Sequence, residues 1–252
     1  MLNHPTLDQL KAMKLIGMAQ AFEEQLQQPD LNALSFDDRL ACLVEREHAL
    51  RSNRKLTYRL RRAQLKLNAT LEDIDLRARR GLDKALLNEL ARCRFIHDHL
   101  NVLITGPTGV GKTYLACAIA HSACRNGYSA RYLRVPRLLT ELAIARGDGS
   151  YHKLLSQLAK TDLVIVDDWG LATLTAEQRR DLLEIFDDRH ALRSTIVTAQ
   201  LPVNQWHEVI GDPTLADAIL DRLVHNAYTI NLKGESMRKK QPPLTHPDHS
   251  AK

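Results

Sequence analysis

Eight consecutive residues, Gly106-Pro107-Thr108-Gly109-Val110-Gly111-Lys112-Thr113, fit the pattern G-x-x-x-x-G-K-[ST] at every fixed position. Each residue type has a chemical reason to be there. The glycines let the backbone curl until successive N–H groups point inward at phosphate oxygens. Lys112 is placed to reach the β- and γ-phosphates, and the Thr113 hydroxyl is placed to ligate Mg²⁺. Tyr114 opens the helix that follows, whose N-terminal dipole adds positive potential. A glycine-rich turn that binds nothing needs no particular flanks, but here the flanks are right. Asn101–Thr105 is a short apolar, β-branched run that reads as a buried strand, and Tyr114–Ala120 reads as a helix. Residues Gly106 to Tyr114 are therefore the expected nucleoside-triphosphate-binding segment.

A second run supplies carboxylates. Thr161-Asp162-Leu163-Val164-Ile165-Val166-Asp167-Asp168-Trp169-Gly170 is an apolar strand that ends in two aspartates. Such a strand would deliver its last side chains to the phosphates. Asp167 is the expected Mg²⁺ partner of Thr113, and Asp168 the acid that polarises the attacking water. A third run, Ser194-Thr195-Ile196-Val197-Thr198-Ala199-Gln200, brings polar groups to a strand exit. Gln200 is favoured over Thr198 as the group that senses the γ-phosphate. Two arginines follow, Arg222 in Asp221-Arg222-Leu223 and Arg238 in Gly234-Glu235-Ser236-Met237-Arg238. From spacing alone either is an ordinary surface arginine.

These groups need a parallel α/β sheet to bring them together. Strands are expected at 102–105, 130–134, 163–166, 195–198 and 227–230. Helices are expected at 112–125, 136–146, 151–160, 176–190 and 214–223. Residues 1–67 differ in character: they carry no β-branched run and no glycine after Gly17. A first helix is expected over Leu7–Gln28, interrupted by Pro29-Asp30. A second, long one is expected from Phe36 to about Leu67, started by a Ser35/Asp38 capping-box variant. That helix begins acidic and turns basic. Arg51, Arg54, Lys55, Arg59, Arg61, Arg62 and Lys66 occur with no acidic residue among them, and Tyr58 lies on the same side. A solvated helix normally mixes both signs, whereas a one-sign face suits a phosphate backbone.

The expected organisation is a basic helical DNA-binding domain over 1–67, a connector over 68–95, an ATPase domain over 96–240 and a disordered tail over 241–252. In the connector, Arg79 and Arg80 either extend the basic surface or are only solvated. The whole chain has 252 residues, 44% of them hydrophobic, with a net charge of +5. No apolar run approaches the roughly 18 residues that a membrane helix needs. Met1–Leu10 shows no signal-peptide pattern. Cys42, Cys93, Cys117 and Cys124 form neither a C-x-x-C pair nor a zinc-like cluster. Isolated thiols of this kind fit a cytoplasmic protein.

The order of the motifs adds a resemblance. The phosphate loop, Asp167-Asp168-Trp169-Gly170, Thr198-Ala199-Gln200, Asp221-Arg222-Leu223 and Gly234-Glu235-Ser236-Met237-Arg238 together resemble the DnaC/IstB branch of the AAA+ ATPases. Leu43-Val44-Glu45-Arg46-Glu47 followed by Arg51–Lys66 resembles the IstB-type transposition helpers in particular. The resemblance implies a five-stranded parallel sheet in 5-1-4-3-2 order and a homo-oligomer with nucleotide between subunits. It implies Arg222 as an arginine finger acting on the neighbour's ATP, and Arg238 as a sensor arginine acting in cis. The extra helix near 136–146, with Arg137, would help grip DNA. The implied partners are duplex DNA, bound with little sequence preference, and a transposase. The usual glutamate is Asp168 here, which implies slow hydrolysis. The alternative is a DnaC-like replicative helicase loader. A metabolic kinase is weaker, because no acceptor-binding segment is evident.

Overall fold

The computed structural model describes residues 4–28, 34–76 and 80–237. The expected Pro29-Asp30 break, Arg79, Arg238 and the tail 241–252 lie outside the described residues. The chain forms two compact units, Met1–Tyr58 and Arg59–Lys252.

The first unit is helical. The helix expected over Leu7–Gln28 is two helices, α1 (Pro5–Ala12) and α2 (Ile16–Gln27). The break at Met13-Lys14-Leu15 is a left-handed C-terminal motif. Lys14 has φ 59, its N–H donates to Lys11 O, and Leu15 N–H donates to Leu10 O. This is the usual glycine-type helix ending, made here by a lysine, so sequence periodicity ran straight through it. The long helix α3 spans Phe36–Ala63. At its start the Asp38 N–H donates to Ser35 Oγ at 3.2 Å, and Ser35 Oγ donates to the Asp38 carboxylate at 2.7 Å. It stops short of the expected Leu67 because Gln64 turns left-handed at φ 50. Glu47 is not a solvated acid. It is buried, accepts the N–H groups of Gly17 and Met18 at the start of α2, and pairs with Arg51 at 2.6 Å. Arg51 foremost, with those N–H groups, holds its carboxyl below the usual glutamate range against the opposing effect of burial.

The second unit is built on five parallel strands: β1 (Asn101–Thr105), β2 (Ala130–Arg134), β3 (Leu163–Trp169), β4 (Ser194–Ala199) and β5 (Ala227–Asn231). Their spatial order is β2-β3-β4-β1-β5, the expected order read from the other edge. Two short helices, α4 (Lys84–Ala91) and α5 (Arg94–His97), precede β1. The crossovers are α6 (Lys112–Arg125), α7 (Val135–Asp148) with α8 (Tyr151–Lys160), α9 (Ala176–Arg189), and α10 (Trp206–Ile210) with α11 (Pro213–Val224). All of β1 and β4 is buried, as a sheet covered on both faces requires. The connector belongs to this unit. Ser122 on α6 donates to Ala91 O at 3.1 Å, and Arg125 pairs with Glu72 at 2.6 Å. Among the described residues no helix is long and apolar enough to cross a membrane.

Candidate nucleotide site

The carboxyl ends of β1, β3 and β4 open onto one cavity of about 770 Å³. This is where an open parallel sheet binds ligands. Lys112, at the N-terminus of α6, donates to Gly106 O at 2.6 Å and Pro107 O at 2.8 Å, which folds the loop around its own cation. Desolvation lowers the pKa of this lysine, while Asp167 and Asp168 act in the opposite direction. Gly106 (φ 144) and Gly109 (φ 86) sit where no side chain fits. A Cβ on Gly106 would lie 2.2 Å from Leu232 O, and one on Gly109 would lie 2.1 Å from Ser236 Oγ. The segment after β5 therefore closes on the loop, and Met237 N–H donates to Gly109 O at 2.9 Å. Thr108, Gly109, Gly111, Lys112, Thr113 and Tyr114 all line the cavity.

Asp167 is the hub. It is 1% exposed. The Thr113 hydroxyl lies 3.1 Å from both of its oxygens, and the Tyr132 and Thr198 hydroxyls donate to it as well. Tyr132 comes from β2, and nothing in the sequence marked it. Burial first, and then the bond to Asp167, push its phenol above the usual range. Asp168 follows directly, and in a regular strand it would face the opposite side of the sheet. It does not, because β3 bulges. Val166 pairs with Val197 and Trp169 with Ala199, so two aspartates oppose Thr198 alone. Asp168 takes the left-handed conformation at φ 64, which Asp tolerates better than most residues. Asp168 thus lines the cavity, while buried Asp167 contacts two residues that line it, Thr113 and Lys66. Asp168 pairs with Arg134 at 2.7 Å. Gln200 is exposed and lines the cavity, while the buried Thr198 hydroxyl donates to Asp167.

Among the described residues no cluster of three or more His, Cys, Asp or Glu could hold a metal alone. One buried carboxylate beside a threonine hydroxyl is the donor set expected for Mg²⁺, which takes its remaining ligands from phosphates and water.

Two cations stand where the sequence did not put them. Arg80 neither extends a basic surface nor is solvated. It is 8% exposed and lines the cavity. It donates to Asp75 O at 2.7 Å and to Val110 O in the loop at 3.4 Å, and among the described residues its buried Nε has no partner. Lys66, expected on the helical basic face, lies past the end of α3 and lines the cavity with Nζ 3.9 Å from Asp167.

A match to the family model described as "IstB-like ATP binding protein" runs over residues 8–244. The chain belongs to that family. An insertion-sequence ATP-binding protein of Sinorhizobium fredii is 54% identical over 241 residues, covering 96% of this chain and 98% of the relative. Two solved structures share the fold. DnaI has a TM-score of 0.56 at 24% identity, covering 66% of this chain and 92% of that one. The DnaC helicase loader has a TM-score of 0.54 at 20% identity, covering 68% and 100%.

The remaining expected residues of this IstB-family chain lie outside the cavity. Arg54, Lys55, Tyr58, Arg61 and Arg62 are exposed on α3, and Arg137 is exposed on α7. Arg51 is tied to Glu47, and Arg59 is half-buried and donates to Cys124 O at 3.4 Å. Arg222, on α11, pairs with Asp187 at 2.5 Å and does not line the cavity of its own chain.

Proposed function

We propose that this protein is a DNA-binding AAA+ ATPase that assembles on duplex DNA in its ATP state and delivers that DNA to a partner transposase. The observation that carries the reading is the exposed, basic face of α3 in a chain whose phosphate loop lines a nucleotide-sized cavity. Each lysine or arginine that neutralises a phosphate contributes a salt-dependent term, and several subunits multiply it. The insertion-sequence relatives support the transposition setting. Mg²⁺ would be held by Thr113 and Asp167 and would supply charge neutralisation at the phosphates. Asp168 would orient and deprotonate the attacking water, with Gln200 or Thr198 reporting the γ-phosphate. Arg222 stands away from its own cavity, which supports action on the ATP of a neighbouring subunit. Arg238 would act in cis.

The test is retention of a random-sequence duplex, with and without ATP. It compares wild type, Lys112→Ala, and the triple variant Arg54→Glu, Lys55→Glu, Arg61→Glu. These three residues are exposed, so folding should survive the charge reversal. The triple variant is expected to lose DNA and keep nucleotide, and Lys112→Ala to lose both. Retention by the triple variant would refute the DNA-binding face. Capture of a replicative helicase in place of DNA would establish the loader alternative.

A further inference from the structure

Lys66 has no place in the nucleotide motifs, yet its ammonium stands inside the site they build. Its backbone is fixed on both sides. Ala63 and Ala69 are fully buried. The side chain then spans to Asp167. The distance there, 3.9 Å, is within range of charge attraction but longer than a hydrogen bond. Asp167 already accepts from Thr113, Tyr132 and Thr198. Among the described residues Lys66 Nζ has no hydrogen-bond acceptor. A cation with three unused donors is therefore held over the Thr113–Asp167 pair, facing the cavity.

We propose that Lys66 is a terminal-phosphate ligand that makes this site distinguish ATP from ADP. The reading rests on the nucleotide site proposed above. A divalent ion arriving at Thr113 and Asp167 neutralises the carboxylate and repels the ammonium. The acceptor that comes with it is the γ-phosphate, and a lysine binds phosphate as a compact charge with three donors. ADP brings no such group. Lys66 lies three residues beyond the last residue of α3, so the contact forms at the root of the basic helix.

The experiment is calorimetric titration of the full chain with AMP-PNP and with ADP at fixed MgCl₂, for wild type, Lys66→Gln and Lys66→Arg. Lys66→Gln is expected to weaken AMP-PNP about tenfold, equivalent to about 1.4 kcal/mol, while ADP stays within about twofold. Lys66→Arg should recover part of the AMP-PNP affinity. Unchanged ADP binding also certifies that the variant folds. Equal loss of both nucleotides would overturn the proposal, since Lys66 would then only shape the cavity. Unchanged or tighter AMP-PNP binding would overturn it too, since Lys66 would then only compete with the metal for Asp167. Wild type failing to bind either nucleotide is a separate result, which would remove the nucleotide reading itself.

Discussion

Tyr132→Phe tests whether the buried hydroxyl network around Asp167 organises the site. The substitution removes one oxygen and keeps the ring, which is 9% exposed, so packing in the sheet should be preserved. The loss is the hydrogen bond to a carboxylate that is itself 1% exposed. A bond to a buried charged group contributes roughly 1.5–3 kcal/mol, and Asp167 retains Thr113 and Thr198, so a cost of about 2 kcal/mol is expected. For a unit of this size that lowers the melting temperature by roughly 4–8 °C. The pH dependence has a definite sign. The folded phenol titrates above its unfolded value, so its contribution is complete below the ordinary phenol range and is lost progressively as pH rises from that range toward the higher folded value. The stability gap between wild type and variant should be flat from about pH 6 to 9 and should shrink above about pH 10. Melting scans across that range measure it. A parallel MgCl₂ titration of nucleotide binding should show that the variant needs more metal. A variant within about 0.5 kcal/mol of wild type, with an unchanged metal requirement, would refute the network's role.

Gly109→Ala should reduce ADP affinity by more than about tenfold, because its Cβ would meet Ser236 Oγ at 2.1 Å in a left-handed backbone. Adding Ser236→Gly should recover part of the loss, and no recovery would refute the steric account. Asp168→Asn should abolish phosphate release while leaving ATP binding intact, as read by phosphate assay and calorimetry; undiminished release would remove Asp168 as the base. Arg134→Gln frees the Asp168 carboxylate, so phosphate release should rise. Because the pair is partly exposed, stability should change by less than about 1 kcal/mol.

Local chemistry made much of this protein legible in its amino-acid order. The phosphate loop is contiguous, and its glycines are required by local backbone shape. The central strands β1, β3 and β4 carry apolar, β-branched runs, and all five strands are found within three residues of their expected limits. Helix ends were harder to place where a non-glycine residue adopts the left-handed turn, as Lys14 and Gln64 do. Propensity gives no warning there, and at Lys14 the ending is held by backbone hydrogen bonds rather than by residue type.

The set of residues around the phosphates was decided by tertiary structure. A sequence places Asp167 and Asp168 side by side, and a regular strand would separate them across the sheet. Only pairing with β4 creates the bulge that sets Asp168 in the cavity lining next to the buried Asp167. Tyr132 enters because β2 lies beside β3, a neighbour relation that no local pattern encodes. Lys66 reads in sequence as part of a DNA-binding basic face, and Arg80 as either an extension of it or a solvated residue. Arg80 packs against the phosphate loop and is buried there, while Lys66 stands 3.9 Å from Asp167. The sequence by itself determined that the chain holds a triphosphate loop and two acids on a parallel sheet. Which cations and hydroxyls meet those acids depends on contacts distant in the chain, and these exist only once the sheet has closed.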